Sequence, residues 1–197
     1  MMTGIYQSAA ILGISIIFYL ADFLLIQRYD KLRAKGSSRS WDYTVLAVFM
    51  AILIILQPIL LPWLGISTNA SWGLLIQAMG LALVICGLSL HWWARINLGQ
   101  FYGEREEIQQ GQHLVYRGPY VYIRHPIYTS YFILVIGILL INPALTTLLV
   151  TIYAFWDFLH AVAREEKLLA DQLPGYTDYI ARTPRFFPRL TGRLDGK

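Results

Sequence analysis

The chain has 197 residues, of which 56% are hydrophobic and 14% are charged, a composition that excludes an ordinary soluble domain and predicts an integral membrane protein. Its formal net charge of +4 does not point to nucleic acid, because the basic residues lie beside apolar segments, where membrane lipids with anionic headgroups are the expected partner. Cys86 is the only cysteine, which excludes an internal disulfide and a cysteine-based metal cluster.

Three apolar segments in the N-terminal part of the chain are long enough to cross a bilayer as helices. They cover residues 4–26, 43–64 and 72–94. A helix needs about 20 residues to cross a hydrocarbon core of about 30 Å, so each segment suffices. In the second segment, Pro58 and Pro62 are expected to kink or break the far end of the helix.

Two features of these segments predict contacts with other helices. Asp22 lies near the end of the first segment, where we expect an interfacial residue; the alternative is an intramembrane partner for a second charge. Small residues recur every seven positions along the third segment, at Gly73, Gly80, Gly87 and Ala94. This spacing predicts a stripe on which another helix packs closely, within the chain or between two chains, and so leaves the oligomeric state open.

A polar and aromatic stretch, residues 111–127, precedes two further apolar segments. Its sequence, GQHLVYRGPYVYIRHPI, includes Pro126, and proline is favoured in the first turn of a helix. Residues 127–141 and 144–163 are two predicted helices separated by an Asn-Pro pair, which indicates a tight helical hairpin. The polar remainder of the chain is interpreted as a tail folded over the membrane face.

The distribution of positive charge predicts how the chain crosses the membrane. All sixteen Lys and Arg residues fall within residues 27–42, within 95–124 or after residue 163. Basic segments favour the cytoplasmic side of a membrane. The predicted fold is therefore an all-α integral membrane protein with five membrane helices, the last two a hairpin, with the N-terminus outside and the polar stretch in the cytoplasm.

Charged residues at both ends of the hairpin are candidates for a site. At its start, the N–H groups of the first turn and the positive end of the helix dipole are suited to hold a ligand carboxylate. The alternative is that Arg124 reaches lipid headgroups and His125 caps the helix. At its end, Glu165 and Glu166 are either solvated on a helix that runs on to Gln172, or one of them pairs with Arg124 or a cationic ligand.

The histidines give little support for a metal site. His91 and His160 stand alone in apolar surroundings, where packed or interfacial histidines are more common than ligands. The sequence contains no His-x-x-x-His and no Cys-x-x-Cys pattern. No metal is therefore predicted.

An ordered set of motifs resembles the isoprenylcysteine carboxyl methyltransferase and phospholipid methyltransferase superfamily. The set is LGQFYG, GQHLVYRGPY, RHPIY, an apolar hairpin, REEKLL and GYTDYIARTPRFFP, and it covers about residues 97–188. The resemblance implies a membrane enzyme that uses S-adenosylmethionine and a lipidic or prenylated acceptor. It also implies a single domain, with two N-terminal membrane helices in residues 1–64 and a catalytic core in residues 72–197.

The same resemblance implies which residues form the site. The cofactor pocket is expected between the 95–126 loop and the C-terminal tail. The residues implied to bind the cofactor are Gln112, His113, Leu114, Val115, Tyr120, His125, Pro126, Ile127, Tyr128, Glu165 and Glu166. The residues expected to act in catalysis are Arg124, His125 and Glu166. Ala161 stands where relatives that methylate prenylated cysteine have an arginine, and Arg164 is the nearest replacement.

Methyl transfer is consistent with these residue types. An in-line displacement at a sulfonium carbon mainly requires that donor and acceptor be aligned and water excluded. Carboxylates and aromatic faces attract the cationic donor, and an amine or thiol acceptor would also need a base such as His125. Two alternatives are a membrane reductase that uses NADPH on a sterol-like lipid and a non-catalytic membrane scaffold.

Overall fold

The computed structural model describes residues 2–30, 41–66, 70–102 and 111–189. The predicted basic loop at residues 27–42 and the final part of the tail lie largely or wholly outside the described residues. The same is true of residues 103–110, which belong to the loop predicted to close the cofactor pocket.

Six α-helices make up the described chain. They are α1 (Ile5–Asp30), α2 (Trp41–Leu60), α3 (Ala70–Leu98), α4 (Pro126–Ile141), α5 (Leu145–Gln172) and α6 (Tyr176–Arg182). Three helical stretches are long and apolar enough to cross a membrane, namely Ile5–Tyr29, Trp72–Phe101 and Leu145–Gln172, and Val45–Leu60 and Pro126–Ile141 are shorter apolar helices. The predicted all-α class is confirmed for the described residues.

The predicted helix boundaries were wrong at several ends. The helix α2 ends at Leu60 rather than residue 64, because a short 3₁₀ turn, Pro62–Leu64, begins at the second proline. The helix α5 extends nine residues beyond the predicted end at residue 163, to Gln172. Hydropathy marks only the apolar part of a helix, and the backbone of α5 stays helical where its side chains become polar.

The stripe of small residues on α3 packs against α4, as predicted. A Cβ atom at Gly80 would lie 2.7 Å from the carbonyl oxygen of Gly137, and one at Gly87 would lie 2.8 Å from Leu134 Cγ. Neither space accepts a methyl group without movement of the backbone or of a packed side chain. The glycines therefore allow α3 to approach the middle and the end of α4 closely.

Replacing Gly80 with alanine is expected to destabilise the protein by about 1–3 kcal/mol, since the added methyl group overpacks the α3–α4 contact. Gly13→Ala is the matched control, because Gly13 is also inside a helix and a Cβ there has nothing within 4 Å. We expect Gly13→Ala to be neutral or slightly stabilising. Thermal unfolding of both variants in detergent measures the difference, and equal midpoints would contradict the packing argument.

Candidate functional site

A cavity of about 1300 Å³ lies between the helices. Its walls come from α1, α2, α3, α4, α5 and α6 together with the segment before α4. Side chains such as Ile14, Phe18, Leu134 and Ile138 give it apolar walls, whereas Gln112, His113, Arg124 and Glu165 provide polar ones. The cavity therefore combines a polar region with room for an apolar group.

Most of the residues predicted to form a site line this one cavity. Those that line it are Gln112, His113, Leu114, Val115, Tyr120, Arg124, His125, Pro126, Ile127, Tyr128 and Glu165. Glu166 is the predicted residue that is not among the lining residues. Consecutive helical residues point about 100° apart, so only one member of the Glu-Glu pair can face the cavity squarely.

Glu166 connects three basic side chains. Its Oε1 accepts hydrogen bonds from Arg124 Nη2 at 2.8 Å and Arg124 Nε at 3.0 Å, and lies 3.0 Å from His125 Nε2. Its Oε2 accepts a hydrogen bond from Arg185. Glu166 is 7% exposed, so the expectation of a solvated carboxylate was wrong for this residue. Hydropathy placed the end of α5 at residue 163, but the alternative that the helix runs on to Gln172 is the one the structure shows, and the predicted pairing with Arg124 is confirmed.

The C-terminal tail covers the start of α4. The backbone N–H of Arg124 donates to Pro184 O at 2.9 Å and that of His125 donates to Arg185 O at 3.1 Å. The Arg124 guanidinium also donates to the carbonyl oxygens of Ile180 and Thr183. The expectation that Arg124 reaches lipid headgroups was therefore wrong, because its guanidinium satisfies Glu166 and tail carbonyls. These two N–H groups are likewise not open to a ligand carboxylate.

The side chain of His125 does not cap α4. His125 is the N-cap residue, but its imidazole makes no capping hydrogen bond and contacts Glu166 instead. Its backbone carbonyl accepts from the N–H of Thr129 at 2.9 Å. His125 is only 4% exposed. Because its imidazole contacts the Glu166 carboxylate instead of water, this contact orients the ring.

A tight turn holds Tyr120 in the cavity wall. Gly118 has a φ of 58°, and a Cβ there would collide with Asn97, so the turn requires glycine. Tyr179 O–H donates to the carbonyl oxygen of Tyr120 at 2.5 Å.

Two tyrosines of the cavity wall have a raised pKa. Burial raises the pKa of Tyr120. The pKa of Tyr176 is raised mainly by burial and also by the negative charges of Glu166 and Glu165. These phenols stay protonated at neutral pH and are hydrogen-bond donors.

Sequence reasoning missed a second ion pair, between α1 and α3. Arg95 Nε donates to Asp22 Oδ1 at 2.8 Å, and the guanidinium carbon lies 3.4 Å from the centre of the Tyr102 ring. Arg95 is 2% exposed, and His91 Nε2 lies 3.6 Å from the same carboxylate oxygen. Asp22 thus has a second charge as its partner, as the alternative expectation required, and its depth in the membrane stays a prediction. The sequence did contain a signal for this pair. The charge distribution predicts that α1 and α3 run in the same direction across the membrane, and Asp22 and Arg95 each lie near the predicted cytoplasmic end of their helix.

Asp157 was also missed. It lies within the predicted fifth helix, six residues before its predicted end, and lines the cavity with Ala161 and Arg164. A single acid in an apolar segment was the signal in the sequence, because such residues are rare and usually face a cavity.

Apolar helices around a shared cavity are the architecture of a multi-pass integral membrane protein. The family model described as the isoprenylcysteine carboxyl methyltransferase family matches residues 79–171. A solved structure of the eukaryotic intramembrane Ras methyltransferase ICMT superposes with a TM-score of 0.69 at 25% identity, covering 94% of this chain and 67% of that chain. The chain thus resembles the isoprenylcysteine carboxyl methyltransferase family in sequence over residues 79–171 and the solved methyltransferase in fold over most of its length.

Similar sequences include proteins with different names. The protein-S-isoprenylcysteine O-methyltransferase of Schizosaccharomyces pombe is 26% identical, with 87% of this chain and 81% of that protein aligned. The nickel-cobalt-cadmium resistance protein NccN of Alcaligenes xylosoxydans xylosoxydans is 39% identical over 79 residues, 40% of this chain. The cobalt-zinc-cadmium resistance protein CzcN of Cupriavidus metallidurans is 32% identical over 125 residues, 62% of this chain. The chain covers 37% of NccN and 56% of CzcN.

Proposed function

We propose that the protein transfers a methyl group from S-adenosylmethionine to a lipidic or lipid-anchored acceptor of the isoprenylcysteine type. The main support is that most of the residues that the family resemblance assigns to the cofactor line a single cavity. They come from the segment before α4, from the start of α4 and from α5. The similarity to the methyltransferase family model and to the Schizosaccharomyces pombe enzyme supports the same activity.

The residues of the cavity fit such a cofactor. A sulfonium and an amino group are attracted by carboxylates and aromatic faces, and Glu165, Tyr120 and Tyr128 line the cavity. The volume of about 1300 Å³ exceeds the roughly 300–1,000 Å³ of a typical small-molecule pocket. The cavity thus has room for a nucleoside cofactor and part of a second substrate.

The open side of the cavity supports an acceptor that arrives from the bilayer. Leu20 and Phe23 on α1 line the cavity and are 58% and 53% exposed. Because these exposed side chains are apolar and lie on a membrane helix, we infer that the opening beside α1 faces lipid. A prenyl chain would enter there and pack against the apolar walls.

In this mechanism the side chains of the site mainly position the reactants. When bound, S-adenosylmethionine supplies an electrophilic methyl carbon on a sulfonium. Glu165 and the tyrosine rings hold the donor end, and the apolar walls exclude water from the transfer. Glu166 fixes Arg124 and His125, and therefore the wall formed by the start of α4. A carboxylate acceptor needs no base, whereas an amine or thiol would give up its proton to a group such as His125.

We further propose that the five apolar helices are all membrane helices and that the cavity opens to the cytoplasm. The confinement of Lys and Arg to three segments supports an outside N-terminus. In this arrangement a soluble cofactor reaches the polar region from the cytoplasm, while the acceptor approaches from lipid. We treat residues 1–197 as one domain, with residues 72–197 as its catalytic core.

Binding of S-adenosylhomocysteine, the demethylated product of the cofactor, tests the proposal. Purified protein is expected to bind it at low micromolar affinity, and Glu165→Gln is expected to weaken binding by roughly tenfold or more because it removes a charge from the cavity wall. Asp171→Asn removes an exposed charge from the same helix and should bind like the wild type. Calorimetric titration provides the measurement, and no detectable binding by the wild type would remove the proposal.

The other candidate functions have less support. The family matches do not favour a reductase, and binding of NADPH in place of S-adenosylhomocysteine would decide for one. The names of two relatives refer to heavy-metal resistance. Among the described residues, no group of three His, Cys, Asp or Glu side chains could hold a metal ion. We therefore propose no metal site.

A further inference from the structure

The tail after α6 turns back beside α4. The ring centre of Phe186 lies 5.3 Å from that of Phe132, and the carbonyl oxygen of Phe186 accepts a hydrogen bond from Thr129 Oγ1 at 3.2 Å. Phe132 comes six residues after the start of α4 at Pro126, which is about 9 Å along the helix axis. The tail therefore reaches past the first turn of α4.

The apolar part of α5 flanks the same place. The ring of Phe132 stacks on that of Phe155, with 4.5 Å between the ring centres. Phe155 lies nine residues before Arg164, where the charged run REEK begins, and so about 13 Å inside the apolar part of this helix. Because α5 is long and apolar enough to cross a membrane, Phe132 and the adjoining Phe186 border its membrane-crossing part.

Phe187 carries an apolar ring outside these contacts. It is 77% exposed, although its neighbour Phe186 packs on α4. The exposed Arg182 and Arg189 stand on either side of it in the sequence, and Asp178 is the only acid between the start of α6 and Arg189. An exposed aromatic ring flanked by arginines fits a membrane interface, where the ring enters the acyl region and the cations meet anionic headgroups.

The same part of the tail holds one wall of the cavity. The backbone N–H groups of Arg124 and His125, two residues that line the cavity, donate to carbonyl oxygens of the tail at 2.9 and 3.1 Å. The side chain of Arg185 donates to Glu166 on α5. Whatever keeps the tail against α4 therefore also keeps this wall in place.

We propose that residues 184–188 are a membrane-binding segment, which inserts Phe187 into the acyl region of the adjacent leaflet and places Arg182 and Arg189 among anionic headgroups. Lipid then holds the segment against α4, so that ligand binding in the cavity depends on the composition of the membrane. The insertion goes beyond the proposed methyl transfer and is measured without a substrate. The effect on the cavity rests on the proposed binding of the cofactor.

The accessibility of a spin label tests the insertion. The lone and exposed Cys86 is first replaced in Cys86→Ser, and a label is then attached to Phe187→Cys in liposomes that contain anionic lipid. Trp156→Cys, on the exposed apolar surface of α5, is the reference for lipid, and Asp171→Cys, exposed beyond the charged run of the same helix, is the reference for water. We expect the label at position 187 to match the lipid reference, with stronger relaxation by oxygen than by a water-soluble nickel chelate.

Two accessibility results would overturn the insertion. A label at position 187 that behaves as in Asp171→Cys lies in water, and a label shielded from both reagents is covered by protein, such as a second copy of the chain. If Phe187→Cys fails to fold, judged by size-exclusion chromatography, a photoactivatable phospholipid applied to the unmodified chain decides. Cross-links within residues 184–188 support the insertion, and their absence contradicts it.

Binding of S-adenosylhomocysteine in lipid nanodiscs tests the coupling to the cavity. We expect Phe187→Ser to weaken binding by roughly threefold or more, whereas Phe187→Leu, which keeps an apolar side chain, should bind like the wild type. The wild type should bind more tightly in anionic than in neutral lipid, and the double variant Arg182→Gln with Arg189→Gln should lose this difference.

The outcomes of the binding test separate the two proposals. Equal affinities for Phe187→Ser and the wild type, or a wild type that is indifferent to lipid charge, contradict the coupling. A wild type that binds no S-adenosylhomocysteine in either lipid fails the proposed function instead, and the spin-label result still decides whether the tail inserts.

Discussion

The variant Glu166→Gln is expected to lose about 3–5 kcal/mol of unfolding free energy, the usual cost of removing one partner from a buried ion pair. The Glu166 carboxylate accepts hydrogen bonds from Arg124 and Arg185 and contacts His125. Glutamine keeps one amide oxygen that can accept from Arg124, but the buried guanidinium loses the negative charge that balances it. Thermal unfolding in detergent should show a midpoint lower by several degrees, at roughly 2–4 °C per kcal/mol for a chain of this length.

The neighbouring acid provides the matched control for this variant. Glu165 lines the cavity, whereas Glu166 joins α5 to the start of α4 and to the tail. We expect Glu165→Gln to lower S-adenosylhomocysteine affinity with a much smaller change in the unfolding midpoint. Glu166→Gln should lower both, because α4 and the tail form the cavity wall. Equal midpoints for Glu166→Gln and the wild type would contradict the role assigned to this carboxylate.

The variant Arg95→Met is expected to destabilise the protein by a similar amount, about 3–5 kcal/mol, because it leaves the Asp22 carboxylate without its ionic partner. It also removes the contact between the guanidinium and the Tyr102 ring, worth about 0.5–2 kcal/mol. The midpoint of unfolding in detergent measures the loss.

A double-mutant cycle separates these two contributions. Asp22→Asn alone leaves the Arg95 charge buried and should also destabilise, whereas the double variant with Arg95→Met removes both charges. We expect the double variant to recover much of the stability, except for the part due to the Tyr102 contact. If the two single losses simply add in the double variant, Asp22 and Arg95 do not depend on each other.

The fold was predictable where the signal is local. The apolar segments predicted five helices because hydropathy over about 20 residues reports burial in lipid or protein directly. The seven-residue repeat of small residues predicted a close helix contact, and the structure identifies α4 as the neighbour. Helix ends were less predictable, since α5 continues as a helix through charged residues that no longer match a membrane pattern.

The site was predictable as a set of segments but not in the arrangement of its side chains. The motifs in residues 111–128 predicted the site residues of this segment, and the structure shows that these residues line the cavity. The prediction succeeded because most of this segment forms part of the cavity wall. Two adjacent glutamates looked equivalent in the sequence. The packing of α5 turns Glu165 toward the cavity and Glu166 toward Arg124, and this rotation is set by neighbouring helices rather than by local sequence.

The sequence alone determined the class of protein, the approximate positions of its helices and the segments that form its polar region, because composition and periodicity are properties of short stretches. Only the tertiary structure decided which charges meet. Asp22 and Arg95 are 73 positions apart in the sequence, and the tail reaches the start of α4 from 59 residues away. Such pairings depend on the relative depth and rotation of packed helices, which no single segment encodes.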